Sequence, residues 1–195
     1  RTLTCPPIFL FTARLPEWAN DLHLFAHRND DGFLILEFEG ISHDGPVPVQ
    51  DLYTEACAGI TDLEHTDTVQ SFFDAAVTRL RQFTGYDRVL AYKFLEDGSG
   101  RVIAEDRAED LESYVGLHYP ASDIPEPARR LFSMKWVSHL PDVDYESVSL
   151  VASDQAGGKP VDLSRAFSRS VSVMYSGYLK NMGVHSTMVL TLIRN

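Results

Sequence analysis

Cysteine is almost absent from this 195-residue sequence, with Cys5 and Cys57 the only two. Two thiols so far apart make neither a disulfide framework nor a metal-ligand set. Basic residues are also scarce: 17 Lys and Arg face 28 Asp and Glu, a formal charge of −11. A surface of that sign repels phosphate, so nucleic acid and anionic membrane are not expected as partners. No apolar run approaches the length of a membrane span, and nothing has the layout of a signal peptide. A soluble, cytoplasmic protein is the economical expectation. Gly-rich phosphate loops, internal repeats and low-complexity segments are missing. His118, His139 and His185 lack metal-ligand spacing and are expected to be structural or surface residues. Ser172 has no base placed for it, so no catalysis is expected of this chain.

What is present supports an ordinary packed core: 44% of residues are hydrophobic, and the length gives room for one domain or one and a part. Residues 1–40 read as strands. Ile8-Phe9-Leu10-Phe11 follows a Pro pair; Leu22, Leu24 and Ala26 alternate with His23, Phe25 and His27; Asn29-Asp30-Asp31-Gly32 signals a turn into Phe33–Phe38. Gly40 to Pro48 reads as a linker, followed by a short helix over about 49–58. Val69, Phe72, Phe73, Ala76, Val77, Leu80 and Phe83 fall at helical spacing. Thr66 or Asp67 is the expected cap of that helix and Gly85 its end. Its stripe is expected to pack on a sheet, with Val69, Phe72, Phe73, Val77 and Leu80 buried. Strands are expected at 88–94, 101–106, 136–140 and 186–193, and helices at 108–116, 126–134 and 171–181. Asp106, Glu109, Asp110 and Glu112 read as a solvated helix face, and 139–158 as a polar loop tipped by Gly157-Gly158. Helices beside an antiparallel sheet make an α+β domain.

Pro120 and Pro125 bracket Ala121-Ser122-Asp123-Ile124. Each fixes its own φ and pushes its predecessor out of the helical region, so the backbone between them is extended and stiff. Such a frame presents a carboxylate, carbonyls and an apolar side chain at fixed positions. On pattern alone the plainer reading is a loop entering a helix at Glu126, with Asp123 as a local cap.

The hexamer Pro-Ala-Ser-Asp-Ile-Pro resembles the signature of phytochrome chromophore domains. Tyr86–Phe94, Asp97-Gly98-Ser99-Gly100, Val102–Glu105, Asp110–Tyr114, Asp162-Leu163-Ser164, Arg169-Ser170-Val171-Ser172 and Tyr178–Val184 match the same family in the same order. The resemblance spans roughly Phe33 to Asn195 and names the bacterial phytochromes, which bind a linear tetrapyrrole (bilin) and sense red or far-red light. It implies the end of a PAS domain at 1–40, a linker with a short helix at 41–66, and a GAF domain at 67–195 whose last strands are cut. It implies biliverdin or another linear tetrapyrrole as cofactor. The thiol that bonds the bilin is expected upstream of the PAS domain, and Cys5 is not in its place.

Carried over position by position, the resemblance implies that Asp123 offers its main-chain carbonyl to the pyrrole N–H groups. Ile124 and Pro125 would line the ring plane. Tyr92, Tyr114 and Tyr119 would surround the outer D ring, Met174, Tyr178 and Met182 would complete the wall, and Arg169 would hold a propionate. Ser172, Tyr175 and Thr187 belong to the same set. Three positions depart from the family. Tyr175 stands where a His is usual, Ser138 where the second propionate Arg is expected, and Val189 where a hydroxyl is common. The ring slot is thus retained while the polar clamp is reduced. The expected function is a photoreceptor module that relays D-ring isomerisation to downstream PHY and output domains, often a histidine kinase, and dimerises through its GAF helices. The alternative is a sensor or interaction module that has lost productive bilin binding.

Overall fold

The computed structural model describes residues 7–16, 18, 20–41, 49–151 and 160–193. Cys5, the linker prolines Pro46 and Pro48, and Gly157-Gly158 lie outside them. In chain order the elements are β1 (Ile8–Ala13), β2 (Leu22–Arg28), β3 (Leu34–Gly40), α1 (Val49–Glu64), α2 (Val69–Thr84) and β4 (Arg88–Phe94). There follow β5 (Gly100–Arg107), β6 (His118–Tyr119), α3 (Glu126–Met134), β7 (Val137–Leu140), α4 (Val173–Asn181) and β8 (Thr187–Leu190). The class is α+β, with three antiparallel sheets ordered β1-β2-β3, β4-β5-β6 and β7-β8. Contacts group residues 1–45 with 127–195 as one compact unit and 46–126 as another.

In the first unit, the β2–β3 turn forms where Asn and Gly favour it. Phe33 N–H donates to Asn29 Oδ1 at 2.8 Å, Asn29 N–H donates to Phe33 O at 3.0 Å, and Gly32 takes φ +88°. The buried Asn29 amide also donates to Asp162 O at 3.1 Å. Phe25 and Glu37 are ladder partners. Phe167 meets the Phe25 ring edge-on, 5.6 Å between centroids. The Ser168 N–H and hydroxyl both donate to Glu37 Oε2, at 2.8 and 2.9 Å. These bonds are why an acidic strand residue can be buried. Elsewhere in the unit Leu140, Val143 and Leu179 form a core ringed by Tyr145, Val171, Tyr175 and Val184.

In the second unit, α2 packs on β4 and β5 and carries Val77, 3% exposed, as its buried residue. Its cap is Thr68, not Thr66 or Asp67. Thr68 and Ser71 form a capping box, while the Thr66 hydroxyl and N–H both turn back to Leu63 O and close α1. Gly85 ends the helix at φ +71° as expected. Phe72, Phe73 and Leu80 are half-buried. Val69 is exposed, although its neighbour Gln70 already reaches β5 and donates to Ile103 O at 2.8 Å. The first helix runs to Glu64 rather than ending near 58, since Gly59 weakens a helix without stopping it. Arg79 of α2 pairs with Asp62 of α1.

Segment 108–116 is not a helix but a pair of turns. Asp106 belongs to β5, is half-buried and pairs with Arg81 of α2 at 3.2 Å, while Glu109, Asp110 and Glu112 of the acidic run are exposed. The helix expected from 171 begins at Val173, because Ser172 is its N-cap.

Candidate functional site

Strand β5 organises the tyrosines of the second unit. Gly100, its first residue, pairs with Phe94 on one side and Tyr119 on the other. The register slips between Ala91 and Tyr92, which turns the Tyr92 ring over Gly100. A Cβ on Gly100 would lie 2.1 Å from the Cε1, Cζ and hydroxyl oxygen of Tyr92. The ring therefore occupies the space a side chain would take. Tyr92 meets Tyr119 at 5.8 Å and Phe94 at 5.1 Å between centroids. Gly100→Ala is expected to displace that ring, at a cost of about 1–3 kcal/mol. Chemical denaturation and tyrosine near-ultraviolet circular dichroism read it, and the loss should shrink when Tyr92→Ala is already present. An unchanged stability and spectrum would rule out this seat for the ring.

Tyr114 lies between the two turns and is half-buried. Its N–H donates to Glu105 Oε2 at 2.9 Å, and the Arg88 guanidinium lies 3.7 Å from its ring centroid. After Tyr119 the backbone turns rather than running extended as expected between the two prolines, because Asp123 N–H donates to Pro120 O at 3.1 Å and closes a turn; α3 starts at Glu126. Asp123 and Pro125 are exposed and Ile124 is half-buried.

The remaining candidates lie in the first unit. Ser172 accepts from Tyr175 N–H at 3.2 Å as the cap of α4. Tyr175 packs on the Leu140–Leu179 core, and its hydroxyl bonds the Thr187 side chain; burial pushes the phenol pKa up, and that bond opposes the shift. Ser138 and Val189, two of the departures, are ladder partners across β7–β8. Met174 is 86% exposed, and Tyr178 and Met182 lie on the exposed side of α4 and its C-cap. Arg169 is half-buried. It makes one long bond, Nη1 to Ser170 O at 3.4 Å, and its Nε is buried with no partner among the described residues. A buried guanidinium nitrogen without an acceptor fits a ligand carboxylate.

Several participants carry no motif. Lys135 is 8% exposed and donates to Ala166 O at 2.6 Å. Burial first, then the Arg169 charge, bring its pKa down to about 8. His27 has a fully buried ring 3.6 Å from Glu37 Oε1, and burial lowers its pKa against the opposing pull of Glu37. Glu105, Arg88 and Gly100 lie in stretches that match the family, but the sequence alone assigns them no role of their own. The available signals were charges inside strand patterns and a glycine opening a strand. A cleft of about 150 Å³ lined by Pro7, Met134, Trp136 and Phe167 among others contains none of the candidate residues. That is below the usual size of a small-molecule site, about 300–1,000 Å³.

No family model matches the chain. Cyanobacterial phytochrome A of Nostoc sp. is 39% identical over 170 residues, 87% of this chain and 22% of that protein. The bacteriophytochrome of Pseudomonas aeruginosa is 45% identical over 130 residues, 66% of this chain and 18% of that protein. The solved chromophore-binding domain of Stigmatella aurantiaca phytochrome P1 matches with a TM-score of 0.86 at 36% identity, covering 93% of this chain and 59% of that one. The chain belongs to the phytochrome family. It spans about a fifth of the length of the curated phytochromes it matches. The phytochrome fold type, helices with antiparallel sheets, is the one described above. Among the described residues no helix is long and apolar enough to cross a membrane.

Proposed function

We propose that this chain is the chromophore-holding part of a red/far-red photoreceptor that takes biliverdin or a related linear tetrapyrrole. The observation that carries the reading is the tyrosine group ordered by β5: Tyr92 seated at Gly100 beside Tyr119, directly before the Pro120–Pro125 frame. A bilin, when bound, supplies red-light absorption and isomerisation of the double bond that carries its D ring. Tyr92, Tyr114 and Tyr119 give an aromatic wall for that ring, while Ile124 and Pro125 bound the ring plane. The Asp123 carbonyl accepts pyrrole N–H groups. Arg169 neutralises a propionate, and the linked hydroxyls of Tyr175 and Thr187 give polar contacts without charge. Ser172, Met174, Tyr178 and Met182 complete the assignment. We assign 1–40 to a PAS-like domain, 41–66 to a helical linker and 67–195 to a GAF domain. The intact protein would be a cytoplasmic homodimer joined through GAF helices and followed by PHY and output domains, such as a histidine kinase, with the attaching thiol upstream.

The test is the absorption spectrum of the intact protein purified with biliverdin. A red band is expected, lower than in a relative with His at the Tyr175 position, because a protonated bilin needs acceptors to keep its proton and a phenol hydrogen-bonded to Thr187 is a weak substitute. Red absorbance should rise on acidification between about pH 9 and 6, around an imidazole's ordinary range. Tyr175→His should recover it at fixed pH, and Ser138→Arg should strengthen uptake. No uptake even in the double variant would overturn the reading.

A further inference from the structure

We infer that Glu105 is the positioning residue for Tyr114, gripping it through the backbone directly and through the ring by way of Arg88. The inference rests on the bilin reading for its functional consequence. The Glu105 carboxylate is 2% exposed and has every oxygen engaged. Oε2 accepts from the Ser113 hydroxyl at 2.8 Å and from Tyr114 N–H at 2.9 Å, and Arg107 Nε lies 3.7 Å away. Oε1 accepts from Arg88 Nη1 at 2.5 Å. That same guanidinium lies over the Tyr114 ring, 3.7 Å from its centroid. Glu105 thus fixes the plane that fixes the ring. The backbone is held beyond Tyr114 as well: Tyr114 O accepts from Leu117 N–H, and Gly116, at φ +83°, donates to Val102 O.

A buried ion pair is poor value as a stabiliser, since desolvation offsets most of the attraction. Arg88 and Arg107 also face each other across β4–β5, a like-charge pairing that the Glu105 carboxylate relieves by pairing with both. What the cluster does supply is one fixed orientation for Tyr114. It also bears on why 108–116 is not helical, because Glu105 takes the Tyr114 backbone N–H that a helix would use.

Glu105→Gln and Arg88→Ala are compared with Val77→Ala, a core variant of the same unit remote from Tyr114 in sequence, used as a stability control. In the ligand-free intact protein, Glu105→Gln should speed amide hydrogen exchange at Tyr114 at least tenfold, and Val77→Ala should not do so selectively. In the biliverdin-loaded protein, both Glu105→Gln and Arg88→Ala should broaden the red band and change the photoconversion yield per bound bilin at least threefold. Val77→Ala should lower Tm while leaving the yield as it was. Unchanged Tyr114 exchange in Glu105→Gln overturns the inference, as does a yield that falls equally in Val77→Ala. If the wild type takes up no biliverdin, the bilin reading fails separately, and the exchange result alone decides the grip on Tyr114.

Discussion

Arg169→Ala is expected to weaken biliverdin uptake by the intact protein roughly ten- to a hundredfold, the usual worth of a charge-assisted hydrogen bond in a half-buried place. Among the described residues the guanidinium has little to do. It makes one long bond to Ser170 O, and its buried Nε has no partner among the described residues. Its influence on Lys135 and on Asp162 is electrostatic. In the ligand-free protein the same substitution should leave stability unchanged or raise it, because it removes a charge that is costly to bury. Fluorescence titration with biliverdin and denaturant unfolding without it separate the two effects. Unchanged affinity, or a large loss of ligand-free stability, would place Arg169 among structural residues instead. Arg169→Lys should recover part of the affinity, as a point charge without the planar fork.

Lys135→Met is expected to gain stability over the wild type at pH 7 and to lose that advantage by pH 10.5. The Lys135 pKa falls from 10.5 to about 8 on folding. Between those two values the unfolded chain holds the proton more tightly than the folded one, so wild-type stability rises with pH across that window. The size is about 3 kcal/mol, taking 1.4 kcal/mol per pKa unit. The variant has no such group, so the difference between the two proteins isolates it. Loss of the bond to Ala166 O offsets part of the gain at all pH values alike. Urea unfolding of both proteins at pH 7 and pH 10.5 checks this, and a difference that does not move with pH would refute it. On the acid side the sign is the same. His27 is held neutral by burial with a lowered pKa, so the unfolded chain takes up its proton first, and stability is lost as pH falls below about 6.5.

The sequence by itself determined the elements whose signals are local. The β2–β3 turn needed only Asn29 and Gly32, and the end of α2 only Gly85, whereas the stretch between Pro120 and Pro125, expected to be extended, closes into a turn through Asp123 N–H on Pro120 O. The phytochrome resemblance was likewise legible, because it is carried by consecutive residues. Tertiary structure decided whatever depended on partners distant in the chain. Segment 108–116 has helical residues, yet Glu105 binds the Tyr114 N–H that a helix would have used. Asp106 looked like a solvated charge until Arg81 of α2 came opposite it. Glu37 of β3 is buried because Ser168 arrives from far along the chain to donate to it, and the His27 ring of β2 is buried beside it. Gly100 shows its purpose only once the bulge at Tyr92 brings a ring over it. Backbone preferences act over a few residues, whereas burial of a charge or seating of a ring is settled by neighbours that only the folded chain assembles.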